Sequence, residues 1–121
     1  MTLPLALIIE DDPHQALFYA KALKAAGFET ESFQDGDAAL VRLAVLTPDL
    51  VVLDLYLPQA SGKKVLSEIR GDRRLAKTHV ILATAEANQA NEIASQADLV
   101  LLKPISFDQL RDLAQQLYLY G

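Results

Sequence analysis

Asp54 follows the apolar run Leu50-Val51-Val52-Leu53 and stands just before a turn built on Pro58. A similar run, Leu5 to Ile9, ends in Glu10-Asp11-Asp12. A third, Val80 to Ala83, ends in Thr84, and a fourth, Leu99 to Leu102, ends in Lys103-Pro104. Carboxylates, a hydroxyl and an ammonium are thus each delivered by the end of an apolar segment. Gathered in one place, they suit a divalent cation and a phosphoryl group. Crowded carboxylates repel: two unit charges ~4 Å apart cost about 1 kcal/mol in water and about 4 at an effective dielectric near 20. A hard dication held by carboxylates, a carbonyl and waters offsets that repulsion, and Mg2+ is the usual choice. Lys103 adds positive charge for the acids or for phosphoryl oxygens, and Thr84 offers a hydroxyl. Asp54 is left as the nucleophile, since carboxylates form aspartyl-phosphate intermediates. Phosphoryl transfer asks little of a protein beyond positioning and charge neutralisation.

The elements that must position these groups are legible too. Apolar runs alternate with helical patterns, which argues for parallel βαβ units. Leu5–Ile9 lacks polar alternation, so both of its faces are expected to be covered. Asp12 caps the first helix, Pro13 suits its first turn and Gln15 completes a capping box. Ala16, Leu17, Ala20 and Leu23 are placed on its inward face, and Gly27 stops it. Glu29 to Phe33 alternates and reads as a more exposed edge strand. Asp35 opens a second helix bearing Leu40 and Leu43. A third follows Gly62 with Val65, Leu66 and Ile69 inward. A polar, Ala-rich fourth helix is expected from about Glu86 to Gln96. Ser106 and Gln109 form a capping box opening the last, with Phe107, Leu110, Leu113 and Leu117 on its core face. Five strands alternate with five helices. Right-handed crossovers leave few sheet orders. The common one, 2-1-3-4-5, puts the tips of strands 1 and 3 side by side at the switch point where ligands bind. The expected fold is therefore a doubly wound, five-stranded parallel sheet of the flavodoxin-like kind, a three-layer sandwich.

Composition narrows the function classes. At 121 residues the chain fits one domain with one core. It has no Cys, which removes disulfides, thiolate metal sites and a Cys nucleophile. No apolar stretch nears the ~20 residues of a spanning helix, and no signal peptide is evident, so a cytoplasmic location is expected and no membrane contact. A net charge of −5 works against non-specific nucleic-acid binding. The basic stretch Lys63, Lys64, Arg70, Arg73 and Arg74 reads as a solvated helix face and loop.

With these residues in order, the chain resembles the receiver domains of two-component response regulators. The resemblance spans Leu5 to about Leu117. It rests on the acid pair after the first strand, Asp54-Leu55-Tyr56-Leu57-Pro58 with Gly62 after it, Thr84-Ala85 and Lys103-Pro104. It implies Asp54 as phosphoacceptor, with Mg2+ held by Asp11, Asp54 and the backbone carbonyl of Tyr56, and by Glu10 through water. Thr84 and Lys103 would be the switch and phosphate-contacting residues, and Lys103–Pro104 a cis peptide. It further implies a histidine kinase or histidine phosphotransfer protein as phosphodonor, and a downstream protein target. Such a receiver modifies itself and turns over no external metabolite, so it is not an enzyme in the usual sense.

Three departures stand out. Val100 occupies the place, three before Lys103, where the family usually has an aromatic. Tyr56 is bulkier than many residues found two after the phosphoacceptor and is expected to shield an acyl phosphate partly from water. No stretch resembling an output domain follows Gly121, so residues 1–121 are expected to be a single receiver domain, stand-alone or excised from a longer protein. Other readings remain open. A flavin-phosphate site is disfavoured by the acidic Glu10-Asp11-Asp12-Pro13 loop. A haloacid-dehalogenase-type phosphatase would carry a second Asp where Tyr56 stands. A degenerate receiver, acting as a phosphate-independent interaction module, is kept open by Val100. His14 and His79 read as surface histidines. Tyr118-Leu119-Tyr120 reads as core packing with a frayed end, or as a partner surface.

Overall fold

The apolar runs fold as the parallel strands that their lack of alternation predicts. A computed structural model describes residues 2–121, residue 89 by its backbone alone. The strands are β1 (Leu5–Ile9), β2 (Glu29–Phe33), β3 (Leu50–Asp54), β4 (His79–Thr84) and β5 (Leu99–Leu102). They form one sheet in the order β2-β1-β3-β4-β5, all neighbours parallel. The helices between them are α1 (Pro13–Ala25), α2 (Gly36–Leu43), α3 (Gly62–Gly71), α4 (Ala87–Ala90) and α5 (Phe107–Tyr120), with short 3-10 turns at Arg73–Leu75 and Ala94–Gln96. β1, β3 and β4 are buried on both faces, whereas β2 lies at the edge, half exposed.

Two apolar layers sandwich the sheet. Ile8, Val52 and Ile81 pack under α1 and α5 with Leu23 and Leu110. Leu7, Leu53 and Leu82 pack under α2 and α3 with Leu43, Leu66 and Ile69. Each fully buried side chain of this size contributes roughly 1.5–3 kcal/mol. The helix ends behave as their cap residues dictate. The side chains of Asp12, Asp35, Ser61 and Ser106 each accept from a backbone amide of the first turn. Gly27 takes φ +102°, which no other residue type adopts without strain.

Three expectations need correction. The helix expected from Glu86 to Gln96 is a single α-turn, Ala87–Ala90, then a 3-10 turn. Neither start has a side-chain cap bond, and among the described residues of the segment only Ala90 is fully buried, while Ile93 and Ala97 are partly so. A nucleus this weakly anchored does not propagate through Asn88 and Asn91. Leu17 points to solvent, because Ala16, Tyr19, Ala20 and Leu23 form the i, i+3, i+4, i+7 stripe that meets the sheet. Arg70 and Arg74 are not merely a solvated face. Arg70 donates to the carbonyls of Gln96 and Thr78, and Arg74 to those of Leu43 and Leu46, tying helix ends to the loops beneath the sheet.

Candidate functional site

The switch point lies between β1 and β3, which pair directly, with Ile9 opposite Leu53. The next residue of each strand tip is therefore an acid: Glu10 on one side and Asp54 on the other. Glu10, Asp11 and Asp54 each present a carboxylate oxygen within 4.8 Å of the others. Glu10 and Asp54 are buried, whereas Asp11 is exposed. Lys103 directly follows β5, and its peptide bond to Pro104 is cis. Its ammonium lies 2.8 Å from Glu10 Oε1 and 3.4 Å from Asp54 Oδ2. Lys103 thus pairs with both buried acids.

Local backbone shapes the rest. The Tyr56 amide donates to Asp54 Oδ1 at 3.1 Å, which orients that carboxylate. Gly62 lies so close to the β3 tip that a Cβ there would sit 2.4 Å from the Asp54 carbonyl oxygen. Only glycine lets α3 start that near the site. Thr84 is wholly buried and one residue beyond Ala83, the register partner of Asp54. Its hydroxyl donates to the Glu86 carbonyl and accepts from the Glu86 amide, so here it closes a local turn. Tyr56 is half exposed at the mouth of the site, beside Ser61, Lys63 and Asn88. Val100, in register with Leu82, is half buried on the α2–α3 face.

The electrostatics follow from two buried acids sharing one ammonium beside a third, exposed one. Burial pushes Glu10 up to about 7, Lys103 pulls it down, and the neighbouring Asp54 and Asp11 push it up again. Burial alone would lower Lys103, but Glu10 and Asp54 hold its ammonium above the usual value. Glu10 is raised chiefly by its burial, and Lys103 because its ammonium faces two carboxylates. Lys103 therefore stays charged, while Glu10 is easier to neutralise than an ordinary glutamate. Hard oxygens, an excess of negative charge and an exposed approach through Asp11 are the donor chemistry a magnesium-like dication takes. The residues present therefore fit Mg2+.

Two contacts at this site escaped the sequence reading. Gln15 does not complete the capping box: its amide nitrogen faces the Asp12 carboxylate at 3.4 Å, and the Asp12 amide donates instead to Glu10 Oε2 at 3.3 Å. Tyr19, on the buried stripe of α1, donates its hydroxyl to Gln15. Only the i, i+4 spacing of Gln15 and Tyr19 signalled that contact.

Comparison with known proteins agrees with this geometry. The response regulator receiver domain model matches residues 6–115, and the chain belongs to that family, the receiving module of two-component signalling. The phosphate regulon transcriptional regulatory protein PhoB of Rhizobium meliloti (strain 1021) is 32% identical over 111 residues, 89% of this chain and 49% of that protein. The DNA-binding dual master transcriptional regulator RpaA of Synechocystis sp. is 33% identical over 111 residues, 89% of this chain and 46% of that protein. The chain spans about half the length of these relatives. A CheY-like receiver domain structure from Methylobacillus flagellatus superposes with a TM-score of 0.86 at 26% identity, covering 96% of this chain and 99% of that one. No helix among the described residues is long and apolar enough to cross a membrane.

Proposed function

We propose that this receiver is a phosphorylation-dependent switch, with Asp54 as phosphoacceptor and Asp11, Asp54 and the Tyr56 carbonyl as Mg2+ ligands, Glu10 joining through water. The observation that carries this reading is the sharing of Lys103 by Glu10 and Asp54, at 2.8 and 3.4 Å, beside a third carboxylate. One cation for three acids leaves an unmet demand for positive charge, and a buried nucleophile already in contact with an ammonium.

The donor is a phosphohistidine on a histidine kinase or phosphotransfer protein. An Asp54 carboxylate oxygen attacks phosphorus, and the P–N bond breaks. Its electron pair leaves on the imidazole nitrogen, which takes up a proton. Asp54 becomes an acyl phosphate. Bound Mg2+ would neutralise phosphoryl charge during that transfer. Lys103 then exchanges a carboxylate for a phosphoryl oxygen. Thr84, released from its turn with Glu86, donates its hydroxyl to another. That release links chemistry to the weakly anchored α4 segment, where a downstream protein reads the change in population. The domain touches neither nucleic acid nor membrane, acts in the cytoplasm and turns over no external metabolite.

Acetyl phosphate with Mg2+ is expected to add about 80 Da, one phosphoryl group, to the wild type and nothing to Asp54→Ala. Wild-type protein that stays unmodified by intact mass overturns the proposal.

A further inference from the structure

A chain of hydrogen bonds runs from the buried face of α1 to the acid cluster. It begins at Tyr19, which is 3% exposed. Its hydroxyl donates to Gln15 Oε1 at 3.1 Å. Gln15 Nε2 donates to Asp12 Oδ2 at 3.4 Å, while Asp12 Oδ1 takes the His14 and Gln15 amides and so caps α1. The Asp12 amide donates to Glu10 Oε2 at 3.3 Å, and Glu10 Oε1 takes Lys103. Each link has one allowed direction. The Asp12 carboxylate only accepts, so Gln15 must offer it the NH2 group. That turns the Gln15 oxygen to Tyr19, which must donate. Burial pushes the Tyr19 phenol up to about 12, so it keeps the proton it donates.

We propose that Tyr19 and Gln15 form a brace that holds the Glu10–Asp12 turn, and through it the carboxylates of Glu10 and Asp11, in the orientation that takes the divalent cation. The inference rests on the metal reading above and deepens it. Asp11 lies between the two residues the brace holds: Glu10, gripped at both carboxylate oxygens, and Asp12, gripped at amide and side chain. Without the brace, half-buried Gln15 is free to swing into water, and the Asp12 carboxylate keeps only its two amide partners. The turn then has more orientations to lose when metal binds, and affinity falls. Tyr19 and Gln15 are positioning residues and touch no metal themselves.

The test is a calorimetric Mg2+ titration of the full chain as wild type, Tyr19→Phe, Gln15→Met and the double variant, with amide exchange at Asp12 followed without metal. Tyr19→Phe keeps the ring and so the packing. Partners that touch a metal ligand directly are worth about 10- to 100-fold in affinity. One step further out, each single variant is expected to weaken Mg2+ about three- to ten-fold. The double variant should be no worse than the weaker single, since Tyr19 acts only through Gln15. Asp12 exchange should quicken in all three. Variants that bind as the wild type does, or a double variant whose loss is the product of the singles, would overturn the brace. A wild type that takes no Mg2+ at several millimolar would sink the metal reading itself, and unchanged Asp12 exchange would then sink the brace independently.

Discussion

The two ends of the sheet are both charged, yet only at one do the acids outnumber the cation beside them. At the foot, beneath the N-terminal strand ends, Asp98 accepts from Arg70 at 3.2 Å, from the Val80 amide at 2.7 Å and faces His79 Nδ1 at 3.1 Å. Arg70 spends its other donors on the Gln96 and Thr78 carbonyls, and buried Thr78 donates to the Pro48 carbonyl at 2.7 Å. Each of these groups meets a partner of opposite polarity, so the charges here balance. At the tip, three carboxylates cluster and one ammonium pairs with two of them. What marks a site is thus an unbalanced charge held in place by buried strands. Polarity alone does not mark one. His79, expected as a surface histidine, is half-buried structural cement at the foot.

The contrast can be broken by mutation. Arg70→Ala at the foot is expected to lower stability by about 2–3 kcal/mol, because charge-assisted bonds to two carbonyls and Asp98 are lost. Its Mg2+ affinity should not change. Denaturant melts and a metal titration check both halves, and a weakened affinity would show the two ends to be coupled.

A pH titration acts on the tip instead. Glu10 has its folded pKa raised from 4.5 to about 7, so the folded state holds an extra proton between those values. Stability of the metal-free protein should therefore fall as pH rises through that window, by about 2 kcal/mol between pH 5 and pH 8. Saturating Mg2+ should raise the melting temperature and flatten that slope, since the cation competes with the proton. Thermal melts at both pH values, with and without metal, measure it. A metal-free protein that gains stability over this range contradicts the crowded-acid picture.

Asp54→Asn relieves repulsion while keeping shape, and is expected to stabilise the metal-free protein by about 1 kcal/mol. A clearly destabilised variant would mean that the pairing of Asp54 with Lys103 outweighs the crowding. The smallest effect belongs to Tyr56→Asn. Opening the mouth of the site to water should shorten the acyl-phosphate lifetime a few-fold, about 1 kcal/mol or less in barrier. An unchanged or longer lifetime, followed by mass, would remove the shielding role of Tyr56.

Much of this was legible in residue order. Period and capping gave the strands and four of the five helices, because burial on both faces demands continuous apolar runs and because Asp12, Asp35 and Ser106 carry their own cap oxygens. The fourth helix misled. Ala-rich composition favours helix, but the stretch lacks both a cap and a broad apolar face, and tertiary packing did not supply one. Leu17 misled for a related reason, since a difference of one position on a helix turns a side chain by about 100°. The basic stretch was opaque, because partners for Arg70 and Arg74 are carbonyls, which leave no trace in side-chain chemistry.

Sequence alone determined which groups stand at the strand tips, because a run buried on both faces must stay apolar along its length and ends where the first polar residue appears. It narrowed the sheet order to a few choices, since crossovers are right-handed, and the structure shows the common one. Only the tertiary structure decided how one ammonium is divided between Glu10 and Asp54, and that Tyr19 reaches the acid turn through Gln15. Those facts depend on distances of a few tenths of an ångström between residues as much as 93 positions apart, set by how the whole core packs.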